Sequence, residues 1–390
     1  EFSTCFEEAD LLWVTEVYAA SEAPIADVNG QRLATTIAEA GQPTAYAATL
    51  DLLHEKVRMA MRPNDVVVFL GAGDITRVAH QVAADLQMKS ISHVESFRKI
   101  LGEDSRVFEN EQLSTRTTLR VGGPADILIE PASESDLSQV LRYCSTENIP
   151  FFIMGRGSNL VIRDGGIRGV VIVLKNDAMS RIMLKGEELH CDAGARLKHI
   201  ANAARDAGLT GLEFLEGIPG CLGGALRMNA GAMGSATFDI VERVRFMTRD
   251  GQIEEWQSED MGATYRNCST LKNKIALGAV LRGMPADPEA VRTSMEDFRK
   301  CRTTSQPSAS SAGCMFKNPT EKPAGKLVDE CGLKGMSVGG ASVSKDHGNF
   351  FVNDGSATAE DMIQLLNQVR ERVRETCGVD LAPEVQIVGE

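Results

Sequence analysis

Residues 216–234 read EGIPGCLGGALRMNAGAMG, and this stretch decides the predicted fold. Six of its positions are glycine, at a high cost in backbone entropy: 217, 220, 223, 224, 231 and 234. A flexible loop would be richer in serine, aspartate and lysine, whereas this segment mixes glycine with Ile218, Leu222 and Leu226. The combination predicts a rigid backbone wrapped against a flat, partly apolar cofactor.

A second glycine-rich loop has the sequence Gly155-Arg156-Gly157-Ser158-Asn159 and precedes Leu160. Alternating glycines let the backbone approach a ligand closely, and successive N–H groups can surround an anion. Ser158 and Asn159 add side-chain donors. We interpret the loop as a pyrophosphate site, with a plain hairpin turn as the alternative.

A third glycine-containing segment, Gly71-Ala72-Gly73-Asp74, follows the apolar run 65–70. The G-x-G-x-x-G pattern fails because position 76 is threonine, and no acidic residue completes a βαβ unit about 20 positions later. A tight strand-to-helix turn is therefore favoured over a phosphate site. The chain also lacks G-x-x-x-x-G-K-[ST], so it contains no P-loop for ATP.

Composition excludes several functional classes. The 390 residues carry 41 Lys+Arg and 54 Asp+Glu, a net charge of −13, which disfavours nucleic acids and anionic membranes as partners. No apolar run approaches the roughly 20 residues of a membrane span. Nine scattered cysteines without C-x-x-C spacing predict free thiols, a cytoplasmic location and no metal site. The start lacks a secretory signal and an initiator methionine, as in a piece of a longer chain.

The chain divides into blocks of different pattern. Residues 1–87 alternate strands and helices, as in a parallel α/β unit, and 88–113 are predicted to be a linker with a short helix. Residues 114–285 are predicted to be α+β in two lobes, 114–178 and 179–285, followed by a smaller α+β domain over 286–390. Predicted helices span 31–40, 49–61, 75–86, 136–146, 197–207, 287–302 and a C-terminal helix between Thr358 and Gly378. Predicted strands span 9–18, 65–70, 125–130, 151–154, 169–174, 188–193, 244–248 and 275–281.

The segment 311–319 places the thiol of Cys314 beside a cation, Lys317, and an amide, Asn318. A lone cysteine is usually a small buried hydrophobe, but these neighbours favour a ligand site. Tyr265-Arg266 and Glu384, each taken alone, are better explained as ordinary surface positions.

Taken together, these stretches resemble one family, the UDP-N-acetylenolpyruvoylglucosamine reductases (MurB). The resemblance covers roughly residues 107–390, and its stretches occur in family order. Several ordered matches are far more specific than any single motif. Besides 155–166 and 208–234, the stretches are TTLRVGGPA at 117–125, Tyr265-Arg266, 313–319, AGKLVDECGLKG at 324–335, 347–353 and 383–389.

The resemblance implies a vanillyl-alcohol-oxidase-type FAD fold over 114–285 and a smaller substrate domain. It implies an enzyme that uses FAD and NADPH to reduce UDP-N-acetylglucosamine enolpyruvate to UDP-N-acetylmuramate for peptidoglycan. The substrate would contact Tyr265, Lys317 and Asn318. The cofactor would contact Gly155, Arg156, Gly157, Ser158, Asn159, Leu160, Gly217, Ile218, Pro219, Gly220, Gly223, Gly224, Asn229, Ala230 and Gly231.

The catalytic positions that the resemblance implies are Arg266, Glu384 and Cys314. Arg266 and Glu384 would polarise the substrate carboxylate and steady the enolate, because preorganised charge is often the largest catalytic factor. Cys314 stands where the family normally has a proton-donating serine. A thiol of ordinary pKa is mostly protonated at neutral pH, but it would also make the enzyme sensitive to alkylation and oxidation.

The sequence also departs from the family's usual residues at two other places near the expected site. Residues 232–234 lack the aromatic that is common there, and Gln386 follows Glu384 and Val385 where a basic residue is common. The 48 positions between Arg266 and Cys314 resemble the shorter class of reductases, which lacks a substrate-capping loop.

Residues 1–87 resemble part of another domain, the C-terminal domain of UDP-N-acetylmuramate–L-alanine ligase (MurC), on the stretches 15–25 and 71–75. The chain would then come from a ligase–reductase fusion, and without the ATP-binding domain it would lack ligase activity. Two alternatives remain: another FAD oxidase of the same fold, and an N-terminal block that only docks ligase domains.

Overall fold

The structure is a computed structural model that describes residues 5–6, 8–17, 28–62, 65–71, 73–307 and 309–390. Two compact units divide the chain, Glu1–Glu95 and Ser96–Glu390.

The N-terminal unit contains a parallel pair of strands, Leu12–Thr15 and Thr44–Ala47. Its helices begin at good N-caps, since the side chains of Asn29 and Thr49 accept hydrogen bonds from the first turns that follow them. These helices confirm the predictions at 31–40 and 49–61, and a third begins where predicted. The helices are Gly30–Glu39, Leu50–Ala60 and Ile75–Ile100.

The buried strand predicted over 65–70 is wrong. This segment is not a strand, and Val66, Val68 and Leu70 are exposed by 88%, 68% and 73%. Val67 and Phe69 do pack against the core of the unit. Residues 65–70 thus contribute only every second side chain to that core. In the described part of the unit, no further layer covers the side chains that point the other way.

The segment 88–113, predicted to be a linker with a short helix, contains the boundary between the two units but is largely helix and strand. The helix that begins at Ile75 continues to Ile100, and Arg106–Gln112 forms a strand antiparallel to Pro124–Glu130. The strand was not recognised because its sequence, RVFENEQ, is mostly polar, and its place in the sheet comes from pairing with the apolar strand beside it.

The first lobe of the larger unit is a four-stranded sheet covered by the helix Glu134–Thr146. The predicted strands at 125–130, 151–154 and 169–174 are confirmed within two residues. The new edge strand is antiparallel to its neighbour, and the other pairs are parallel. The order across the sheet is Arg106–Gln112, Pro124–Glu130, Ile167–Val173, Phe151–Met154.

The second lobe is built on a five-stranded antiparallel sheet. The helix Pro288–Ser305 buries Val291 and Met295 in the same core, so this lobe extends beyond the predicted limit at 285. Two further helices, Leu197–Asp206 and Leu222–Met228, share that core. The order across the sheet is Ile253–Gln257, Val241–Met247, Ile275–Arg282, Glu188–Asp192, Ile182–Lys185.

The C-terminal domain is a four-stranded antiparallel sheet with the helices Ala324–Glu330 and Ala359–Cys377. The longer helix confirms its predicted signals: Thr358 and Asp361 form a capping box, and Gly378 ends it with a φ of 70°. The order across the sheet is Ser311–Cys314, Phe350–Asn353, Ala341–Val343, Ser337–Val338.

A final strand joins this domain to the first lobe. Gln386–Val388 runs parallel to Leu160–Ile162, which brings residue 384 beside the glycine loop at 155–159. Asp164 also accepts hydrogen bonds from the first N–H groups of the helix Ala359–Cys377. The remaining short strands are Leu209–Thr210, Gly231–Ala232, Ser235–Ala236, Ala263–Thr264, Asn267–Cys268 and Met284–Pro285.

Candidate active site

A cavity of about 830 Å³ lies where the lobes of the larger unit and its C-terminal domain meet. Both glycine-rich loops form its walls, and the three predicted catalytic residues, Arg266, Cys314 and Glu384, all line it. The predicted cofactor residues that line it are Gly155, Arg156, Gly157, Ser158, Asn159, Leu160, Gly217, Ile218, Pro219, Gly220, Gly223, Gly224, Ala230 and Gly231.

Glycine at 157 is a structural requirement of the first loop. Its φ is +61°, and a Cβ there would lie 2.8 Å from the carbonyl oxygen of Arg116. Gly155 differs, because a Cβ at that position would meet nothing within 4 Å. Gly155 therefore leaves open space beside the cavity rather than avoiding a clash.

In the second loop, residues 217–231, the glycines also serve two purposes: some avoid a close contact and others leave open space. A Cβ at Gly223 would lie 3.1 Å from the Cβ of Ala193, whereas at Gly224 it would enter open space. The hydroxyl of Ser158 donates to the carbonyl oxygen of Pro219 at 2.9 Å, which joins the two loops. The loops thus form one glycine-lined wall that admits a ligand against bare backbone.

The role predicted for Asn229 is corrected by its contacts. It does not line the cavity, and its left-handed backbone ends the helix Leu222–Met228. Its side-chain amide donates to the carbonyl oxygen of Thr264 at 3.1 Å, and its side-chain oxygen accepts from the N–H of Phe238. Asn229 thus supports the hairpin that carries Arg266 through its amide nitrogen, while its amide oxygen holds the turn at Phe238.

Arg266 sits at the tip of a two-residue hairpin between the paired residues Thr264 and Asn267. Its φ is +54°, a left-handed conformation that costs a side-chain-bearing residue roughly 1–2 kcal/mol. Its Nε donates to Glu384 Oε1 at 2.8 Å, and its Nη2 donates to the carbonyl oxygen of Gly231 at 3.2 Å. The strained turn thus fixes a guanidinium at the wall of the cavity.

Glu384 is held by its backbone as well as by Arg266. Its N–H donates to the carbonyl oxygen of Met315 at 2.8 Å, and its carbonyl oxygen accepts from Asn159 Nδ2 at 3.1 Å. Burial raises the pKa of the Glu384 carboxyl, against the opposing charges of Arg266 and Lys317. The carboxyl therefore keeps a proton to higher pH than an exposed glutamate does.

Cys314 ends the strand Ser311–Cys314 and faces the same cavity. Burial, reinforced by the charge of Glu384, raises the pKa of its thiol to about 12, although Arg266 acts in the opposite direction. The thiol is thus protonated at neutral pH. This environment opposes the sensitivity to alkylation expected from the sequence, because the thiolate is the reactive form.

The three predicted substrate residues lie outside the cavity lining. The ring of Tyr265 is 54% exposed and lies 4.9 Å from the guanidinium carbon of Arg266. Asn318 uses its side-chain oxygen to accept from the N–H of Ala324, at the start of a helix. Lys317 is close enough to Glu384 to lower the pKa of that carboxyl.

Sequence reasoning missed five of the seven cations in the described lining of the cavity. Arg302 donates to the carbonyl oxygen of Gly217 at 2.7 Å and so holds the second loop. No local signal marks Arg302, since its partner lies 85 positions away. Gln386 also lines the cavity and contacts the sulfur of Met228 at 2.9 Å. The cations of the described lining are Arg156, Arg227, Arg249, Arg266, Lys272, Lys274 and Arg302.

The cavity suits FAD. Its described lining has seven cations and one carboxylate, which favours an anionic diphosphate. Gly155 and Gly224 leave room for a flat ring against the backbone, and apolar residues such as Ile218 and Leu197 complete the walls. In the described ranges, no group of His, Cys, Asp and Glu is arranged to hold a metal, and no helix has the length and hydropathy to cross a membrane.

Comparisons with known proteins point the same way. The family model for the UDP-N-acetylenolpyruvoylglucosamine reductase C-terminal domain matches residues 306–388, and the FAD binding domain matches 125–257. The reductase of Nitrobacter hamburgensis is 42% identical over 78% of this chain and 98% of its own length. That of Caldanaerobacter subterraneus is 41% identical over 76% and 98%. The crystal structure of the Thermus caldophilus reductase (MurB) matches with a TM-score of 0.63 at 35% identity, covering 73% and 98%.

Proposed function

The chain belongs to the UDP-N-acetylenolpyruvoylglucosamine reductase family, and we propose below which of its residues bind the ligands and carry the reaction. It is an oxidoreductase of peptidoglycan precursor synthesis that uses FAD and NADPH. It reduces UDP-N-acetylglucosamine enolpyruvate to UDP-N-acetylmuramate. The observation that carries the residue assignment is the meeting of Arg266, Glu384 and Cys314 at one glycine-walled cavity.

FAD would lie against the loops at 155–160 and 217–231. Bound there, it would carry hydride from NADPH to the substrate. Gly155 and Gly224 support this placement, because a side chain at either position would fill space that the ligand needs. Ser158 and Arg302 hold the loop 217–220 in shape through its carbonyl oxygens. The protein therefore contributes a preformed wall, and little reorganisation accompanies binding.

Arg266 would bind the carboxylate of the enolpyruvyl group. A guanidinium has five N–H donors, and Glu384 and Gly231 use two of them, which leaves three for a ligand. Its hairpin holds it in place before substrate arrives, so the cation can stabilise the negative charge that develops during reduction.

Glu384 would assist Arg266 by sharing a hydrogen bond with the developing enolate. The raised pKa of its carboxyl suits this role, since it favours sharing a proton more than the pKa of an exposed glutamate does. Asn159 links this residue to the cofactor loop, because its side chain holds the backbone of Glu384. A ligand bound at 155–160 would therefore lie next to Glu384.

Cys314 would donate the proton that completes the reduction. A thiol with a pKa of about 12 keeps its proton across the physiological range and is still acidic enough to protonate an enolate carbon. The thiol thus takes the place of the serine that the family normally uses. Tyr265, Lys317 and Asn318 would form the entrance for the nucleotide part of the substrate, with Lys317 nearest to Glu384.

We also propose domain limits and a role for the N-terminal unit. The FAD domain predicted over 114–285 would also include the strand Arg106–Gln112 and the helix Pro288–Ser305, and the substrate domain would follow. Residues 1–87 would be a cytoplasmic remnant of a MurC-type ligase domain that docks other ligase domains. The exposed Val66, Val68 and Leu70 support a docking role. Deleting residues 1–88 should leave the reductase kcat unchanged, and a large fall with the fold intact would contradict this.

The proposed function is tested by an anaerobic two-step titration of the purified protein. NADPH should bleach the visible absorbance of the oxidised flavin, and UDP-N-acetylglucosamine enolpyruvate should restore it. Return only on admitting oxygen, with hydrogen peroxide formed, would favour an oxidase of the same fold instead.

A further inference from the structure

We propose that Cys331 and Cys377 form a reversible disulfide, which makes the C-terminal domain a site of thiol oxidation. Their sulfur atoms lie 3.4 Å apart, although the residues are 46 positions apart in sequence. Both thiols are half-buried, so a small oxidant can reach them. This pair lies outside the cavity lining and has no part in the reduction.

The backbone positions favour closure of the bond. Cys331 is the C-cap of the helix Ala324–Glu330, and Cys377 is the last residue of the helix Ala359–Cys377. The sulfurs need to approach by about 1.4 Å to reach bonding distance. A helix end can adjust by this amount more easily than the middle of a helix, since its backbone is only partly hydrogen-bonded.

The surroundings indicate which thiol reacts first. Lys322, paired with Glu330 at 2.6 Å, lies close enough to Cys377 for an electrostatic interaction. Burial and a hydrogen bond with Cys377 raise the pKa of Cys331, which disfavours first attack by that thiol. The first attack therefore falls to Cys377, beside the Lys322 cation, and Cys331 completes the exchange.

The reaction balances with a low-molecular-weight disulfide such as oxidised glutathione as the oxidant. The thiolate of Cys377 attacks it and releases one glutathione thiolate, giving a mixed disulfide. The thiolate of Cys331 then attacks the Cys377 sulfur and releases the second glutathione. Two protein thiols lose two protons and two electrons, and one oxidised glutathione becomes two reduced molecules.

The bond should stabilise the fold and leave catalysis intact. It would close a loop of 46 positions, which restricts the unfolded chain. Neither cysteine touches Arg266, Glu384 or Cys314 in the described contacts. We therefore expect the midpoint of thermal unfolding to rise by roughly 5 °C on oxidation, with kcat unchanged within about twofold.

The test uses the full chain with the exposed Cys5 and Cys301 replaced by serine, which removes them as competing thiols. After incubation with oxidised glutathione, the intact mass should fall by two hydrogen atoms, and proteolysis should yield one peptide pair joined through 331 and 377. Dithiothreitol should reverse both the mass change and the rise in melting temperature.

Two matched variants complete the test. Cys331→Ser should stop at a stable glutathione adduct on Cys377, whereas Cys377→Ser should show neither the cross-link nor a rise in melting temperature. The proposal is overturned if the parent protein gains glutathione without a cross-link, or if Cys331→Ser still loses two hydrogen atoms. The peptide map of the parent protein decides the matter even if a variant folds poorly.

Discussion

Two arginine–carboxylate clusters in the larger unit look alike but differ in what surrounds them. Arg116 pairs with Glu111 at 2.6 Å and with Glu130 at 2.7 Å, and Glu130 also pairs with Lys175. Among the described residues, Arg266 pairs with a single carboxylate, that of Glu384, at 2.8 Å beside the cavity. In the first cluster, the charged groups pair with one another. In the second, Arg266 keeps N–H donors that can bind a ligand.

The pKa directions follow the same difference. Although burial lowers the pKa of Arg116, the hydrogen bonds that Arg116 donates to Glu111 and Glu130 outweigh it, and the net shift is upward. At the cavity, burial raises the pKa of Glu384 more than Arg266 lowers it. A carboxyl whose burial is not fully offset by neighbouring cations thus indicates the cluster proposed to react. A cluster whose charged groups all have partners indicates a structural role.

The largest effect should come from breaking the cavity pair. Glu384→Ala or Arg266→Lys should lower kcat by about a thousandfold, because the first removes the carboxyl that holds Arg266 and the second removes donors aimed at the developing enolate. Steady-state kinetics would measure this, with flavin absorbance and melting temperature as controls for binding and folding. Near-normal kcat in either variant would contradict the role of the pair.

A smaller effect is expected at Cys314, the proposed proton donor. Cys314→Ala should lower kcat by about a hundredfold, since the proton must then come from water. Cys314→Ser should recover most of that loss, because a hydroxyl is also protonated at neutral pH. Equal rates for the alanine and serine variants would show that residue 314 does not supply the proton.

Disruption of the Arg116 cluster should affect stability alone. Glu130 is 5% exposed, so Glu130→Gln leaves two cations without their shared carboxylate and should cost about 2 kcal/mol. Chemical denaturation would measure the loss, and kcat should stay within about twofold of the parent. A kcat that fell along with stability would remove the distinction between the clusters.

The smallest effect concerns pH. Because the pKa of Glu384 is raised on folding, its protonation favours the native state below pH 4.5, and this contribution is lost as pH rises through the folded pKa. The stability of Glu384→Gln relative to the parent should therefore increase from pH 4.5 upward. Melting temperatures across pH 4–8 would test this, and a difference independent of pH would contradict the raised pKa.

The sequence was sufficient for features whose cause is local. The capping box at Thr358, the stop at Gly378 and the two glycine loops all depend on a few neighbouring residues. Features that depend on distant partners were not predictable. Asn229 binds a carbonyl 35 positions away, and the polar strand Arg106–Gln112 is held by its pairing with another strand.

The proposed catalytic residues show the same limit. Arg266, Cys314 and Glu384 were found through a family resemblance, since each alone looks like an ordinary residue. These residues come together because Gln386 pairs with Leu160, although the two positions are separated by more than half of the larger unit's sequence. No local pattern encodes that contact, because it follows from how the C-terminal domain closes onto the first lobe.

The most direct test of the catalytic assignment separates the two half-reactions of Cys314→Ala by anaerobic stopped-flow absorbance. Reduction by NADPH should proceed at the parent rate, because the thiol has no part in it. Reoxidation by UDP-N-acetylglucosamine enolpyruvate should slow by about a hundredfold, and Glu130→Gln should match the parent in both steps. Parent rates in both half-reactions of Cys314→Ala, or a loss confined to the NADPH step, would contradict the account.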